Sequence, residues 1–105
     1  EHLDRAAEGP DEALAALARI ETAARLEEAG EIAQARALLQ AIAEDRTAEP
    51  FPKGMAQLGL GRIAAEQGDK GAARVWLVQA RDAGDPWLRD QASQALAGLD
   101  GPDGS

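Results

Sequence analysis

The sequence predicts an all-α fold assembled from a repeated helical hairpin, and three observations carry that expectation. The segment Glu28-Ala29-Gly30-Glu31-Ile32-Ala33-Gln34-Ala35-Arg36-Ala37-Leu38-Leu39 returns as Glu66-Gln67-Gly68-Asp69-Lys70-Gly71-Ala72-Ala73-Arg74-Val75-Trp76-Leu77, displaced by 38 residues. Both copies share the frame Glu-x-Gly-acid-x-x-x-Ala-Arg-x-x-Leu. Self-similarity at such a period marks one supersecondary unit stacked on its neighbour. Apolar residues elsewhere recur at helical spacing, and Gly30, Gly68 and the run Gly84-Asp85-Pro86 fall where helices end and begin.

Each element can be justified in order. Residues Glu1 to Gly9 carry no clear periodicity and are expected to be a frayed N-terminal segment ahead of a helical domain over 10–99. Gly9-Pro10-Asp11-Glu12 reads as a helix start, because Pro suits the first helical position and acids suit the positive end of the helix dipole. The first helix is expected from about Asp11 to Ala29, with Leu14, Leu17, Ala18, Ile20 and Ala24 as its apolar residues and Gly30 ending it. The second runs from about Glu31 to Arg46, and Ile32, Ala35, Leu39, Ile42 and Ala43 form its apolar stripe. So short a turn between them makes the pair an antiparallel hairpin.

Thr47 to Gly54 is expected to be an extended connection, since it holds Pro50 and Pro52. The third helix then covers about Met55 to Gln67, with Ala56, Leu60, Ile63 and Ala64 on one side. Gly59 and Gly61 each cost about 1 kcal/mol of helix propensity relative to Ala, so something is expected to approach that backbone closely. Gly68-Asp69 makes the second tight turn, and a fourth helix from about Lys70 to Ala83 carries Ala73, Leu77 and Ala80 beside Trp76. Gly84-Asp85-Pro86 supplies a stop, an N-cap and a start for a fifth helix from Pro86 to about Leu99. This lone helix, with Leu88, Ala92, Ala95, Leu96 and Leu99 in one stripe, is expected to cap the stack. Asp100 to Ser105 is expected to be a disordered tail.

Composition narrows the function classes. At 105 residues there is room for one core, and Phe51, Trp76 and Trp87 are the only aromatic residues. Stability must therefore come from many close contacts among small side chains. A net charge of −8 disfavours nucleic acid and anionic lipid as partners and favours basic segments. There is no cysteine and no run long enough to span a membrane. No metal or other cofactor is expected, because His2 is the single histidine and no calcium-type loop is present.

Acid pairs such as Glu27-Glu28 and Glu44-Asp45 diverge by about 100° on a helix and do not converge on a substrate. Ser93 and Ser105 have no histidine near them in sequence, and Gly59-x-Gly61 lies within a helix without the Lys-Ser or Lys-Thr of a phosphate loop. The chain is accordingly read as non-catalytic.

From Met55 to Asp85 the pattern resembles a tetratricopeptide repeat. Leu60-Gly61 matches the family's Leu-Gly pair, Gly68-Asp69 its turn, and Ala73, Leu77 and Ala80 the small, large, small positions of the second helix. The unit from about Leu17 to Thr47 follows the same frame through Ala23, Gly30, Ala35, Leu39 and Ile42, with Thr22 in place of the Leu and Ile42 in place of a small residue. The family period is about 34 residues, so extra residues are assigned to the connector at Pro50 to Gly54. Ala73 to Ala80, followed by Ala83-Gly84-Asp85, is also similar to Sel1-like repeats, which favour Trp in the second helix. The resemblance spans about four-fifths of the chain.

The resemblance implies an α-α superhelix of two hairpins plus a C-terminal capping helix, packed through Ala35, Leu39, Leu60, Gly61, Ala73, Leu77 and Ala80. Gly61→Leu is then expected to disrupt the stack. It further implies a concave groove, lined by the first helix of each pair, that binds a peptide or protein segment. Leu17, Met55, Leu58, Arg62, Glu66 and Arg89 are the candidates for contact, with Ile20, Ala24, Ala65 and Ala92 along the same groove. Met55 and Leu58 stand off the Leu60-Ile63-Ala64 stripe, which leaves them available to a ligand. Leu58 and Arg62 occupy two positions of the Lys and Asn constellation that grips C-terminal carboxylates, so a co-chaperone of that kind is not expected. The Ala and Arg bias resembles bacterial proteins of scaffold, envelope or assembly systems. The competing expectation is structural: the open face pairs with a second copy, giving a homodimer, or with another domain of a longer chain.

Overall fold

The computed structural model describes residues 10–99, with side chains from Leu14 onward, so the expectations for 1–9 and 100–105 lie outside the described residues. Five helices and no strand make up the described residues: α1 (Pro10–Glu28), α2 (Ile32–Ala43), α3 (Pro50–Glu66), α4 (Lys70–Arg81) and α5 (Pro86–Leu99).

Both tight turns are built identically, as the repeated frame requires. Gly30 and Gly68 sit at φ of 88° and 84°, a left-handed conformation that costs glycine nothing. The amides of Glu31 and Asp69 reach back to the carbonyls of Leu26 and Ala64 at 2.8 and 2.9 Å. Those of Gly30 and Gly68 bond Glu27 and Ala65, each at 3.0 Å. Two helix ends are thus satisfied by the same paired bonds, which reverse the chain within one turn.

The extended connection expected over Thr47 to Gly54 is shorter than that. α3 begins at Pro50, with Glu49 as its N-cap, and its first turn contains both prolines. The physical reason is that the opening amides of a helix have no intrahelical acceptor, so Pro50 and Pro52 forfeit nothing there. Lys53 donates the first regular bond, to the Glu49 carbonyl, at 3.1 Å. α2 in turn stops at Ala43 rather than Arg46. Asp45 explains the early end, because its Oδ1 accepts from the amide and the hydroxyl of Thr47 at 2.9 and 2.7 Å. A side chain that ties up the backbone in this way competes with the helix.

Consecutive helices pack on one another, and α3 also packs on both α1 and α5. No Cα of α2 comes within 8 Å of one in α4, and α1 stays equally clear of α4 and α5. The result is elongated, 55 × 30 × 18 Å. Its core has two parts that meet in α3. One gathers Ala23, Ala35, Leu39, Ile42, Ala43, Ala56, Leu60 and Ile63, with Trp76 half-buried against it. The other gathers Ala64, Ala73, Leu77 and Leu99. Ala80, Leu88 and Ala92 are fully buried as well.

Small residues set the helix spacing. A Cβ at Gly61 would fall 2.6 Å from Leu77 Cγ, one at Gly59 3.0 Å from Leu39 Cδ1, and one at Gly54 2.5 Å from Leu88 Cδ1. α3 therefore meets α2, α4 and α5 each through a glycine, and each glycine receives a leucine. Ridges seated this deeply bring helix axes toward the short end of the roughly 8–10 Å range. The buried amide of Gln57 is satisfied by Gln79 Oε1 at 3.1 Å, which adds a polar link between α3 and α4.

Candidate binding surface

Because α1, α3 and α5 pack side by side, their outward faces form one strip with α3 in the middle. Phe51, Met55, Leu58 and Arg62 follow one another on α3 at the spacing of a single helix face, covering about 16 Å from end to end. Phe51 is 38% exposed, Met55 and Leu58 are half-buried, and Arg62 is open to solvent.

The expected contact residues are divided by the structure. Leu17 and Met55 are half-buried, while Glu66 and Arg89 are exposed. Ala24 is also exposed, whereas Ile20 packs against the first core cluster. Leu58 and Ala65 are partly claimed by the core after all. They lie half-buried against the second cluster, which α3 builds together with α4 and α5. Ala92, placed along the groove from its helical position, is instead fully buried.

Arg62 is not a free cation awaiting an anionic group. Its Nη2 lies 3.3 Å from Glu27 Oε2, tying α1 to α3 at one end of the strip. Glu27 is largely covered there, with 15% of its side chain exposed. Leu17 lies ten residues upstream, about 15 Å along α1 from this ion pair. A second link joins the layers behind the strip, where Arg36 Nη1 donates to Gln67 Oε1 at 2.9 Å.

At the opposite end the structure shows a feature that sequence reasoning missed. The rings of Phe51 and Trp87 approach to 6.4 Å between centroids at a tilt of 49°, and Trp87 is 49% exposed. Edge-to-tilted aromatic pairs at this separation attract, yet these two leave much of their faces in water. Pro50-Phe51 and Pro86-Trp87 hold the same places, first and second in their helices, 36 residues apart. Assigning Pro50 to a connector hid that correspondence, and with it the proximity of the two rings.

The electrostatics of the described residues are mild. The Asp45 carboxyl is held below its ordinary range, chiefly by the Thr47 hydroxyl and then by the Thr47 amide, with smaller help from Lys53 and Arg19. It borders an open cleft of about 370 Å³ between α1, α2 and the α2–α3 connection. Among the described residues, no group of three or more His, Asp or Glu is placed to hold a metal ion. No helix there is long and apolar enough to cross a membrane. What the arrangement offers chemically is a partly apolar surface, bounded by an aromatic pair at one end and an ion pair at the other. Comparison with family models, with curated proteins and with solved structures returns no match.

Proposed function

We propose that the chain is a non-catalytic protein-interaction module of the tetratricopeptide-repeat type, an α-α superhelix that holds a peptide or protein segment along α1, α3 and α5. The observation that carries this reading is the packing order. α3 touches both α1 and α5, while α2 and α4 stay apart. Translation of a helical hairpin gives that pattern, and an up-and-down bundle of the same helices does not. The duplicated turn at Gly30 and Gly68 supports the same translation. Phe51, Trp87 and Met55 then supply apolar contact area on rigid helices, the kind of group that anchors a partner.

The test is a pull-down with matched variants. Arg62→Glu is a poor probe, since it would set two acids against each other at Glu27 and loosen the α1–α3 contact. Met55→Glu and Trp87→Ala change the strip itself, and Val75→Glu, on the exposed side of α4, is the control. Partners kept by the wild type and the control but lost from both strip variants are expected, with unchanged circular dichroism in all four. Equal retention by every variant would remove the strip from consideration. Sedimentation at several concentrations distinguishes the competing reading: a dimer dispersed by Trp87→Ala would mean that a second copy occupies the strip.

A further inference from the structure

We draw no further inference here: the strongest candidate, the open cleft of about 370 Å³ between the first half of α1, the end of α2 and the connection to α3, is edged by Arg19, Asp45 and Glu49, and nothing in the structure shows what fills it.

Discussion

A Cβ at Gly61 would meet Leu77 Cδ2 and Cγ at 2.6 Å and the Ala73 carbonyl at 3.3 Å. Leu77 is only 1% exposed, and the atom struck includes its branch point, so a simple swing of the tip gives no relief. Gly61→Ala should therefore destabilise the protein by about 1–3 kcal/mol through overpacking, more than cancelling the gain in helix propensity. Gly71 is the counter-case. A Cβ there meets only Asp69 Oδ1, at an ordinary 3.8 Å, and Gly71→Ala should stabilise by roughly 0.5–1 kcal/mol. Urea denaturation of both variants checks the signs, and a stabilised Gly61→Ala would contradict the close α3–α4 approach. Asp45 makes a prediction about pH. Its folded pKa is depressed, so its contribution to stability is present above the ordinary carboxyl value of about 3.9 and is lost as pH falls through the folded value. Thr47→Val removes the hydroxyl that is the largest cause, and the Asp45 titration followed by NMR should move up toward the ordinary value. An unmoved titration would mean that the amide bond and nearby cations suffice.

At the scale of the element, the two hairpins differ at the corresponding positions Glu31 and Asp69 in a way that is measurable. Asp69 caps α4, its Oδ1 accepting from the Ala72 amide at 3.1 Å. Glu31 begins α2 with similar backbone angles, φ −90° and ψ 64° against −93° and 81°, but makes no side-chain cap. One extra methylene carries its carboxylate past the amide, and it accepts from Gln34 Nε2 instead at 3.0 Å. Asp69→Ala should cost about 1 kcal/mol, and Glu31→Asp should recover up to a similar amount by importing the missing cap. Thermal melts of the two variants should shift in opposite directions, and a destabilised Glu31→Asp would show that the Gln34 contact matters more than the cap. These helix starts and turns were legible in the sequence because they depend on nearest neighbours: Gly30 and Gly68 need a left-handed backbone wherever the stack lies. The start of α3 was misread because a proline is informative only relative to a helix boundary, and Pro50 itself defines that boundary. Leu58 is half-buried rather than open for a different reason. Its own helix stripe does not cover it; it packs against a cluster to which α4 and α5, both downstream in sequence, contribute Ala73, Leu77 and Leu99. Phe51 and Trp87 likewise became a pair only through the packing of α3 on α5.

For the molecule as a whole, the division of the core makes its parts separable. No residue of α5 belongs to the first cluster, which α1, α2 and α3 build with Trp76 leaning on it from α4. Leu99 belongs to the second cluster, and Leu88 fills the space over Gly54. Arg89, Asp90, Ser93 and Gln94 give α5 an exposed polar side. Ending the chain after Asp85 should therefore leave the first cluster and its helices in place while uncovering Leu58, Ala64 and Leu77. Uncovering apolar side chains of that size favours burial against another molecule, at roughly 25 cal/mol per Å² removed from water. The shortened chain should keep most of its far-ultraviolet circular dichroism and show a sedimentation mass that rises more steeply with concentration than that of the 105-residue chain. Complete loss of helical signal would mean instead that the first cluster cannot stand without α5, and the packing would then be one cooperative unit rather than two separable parts.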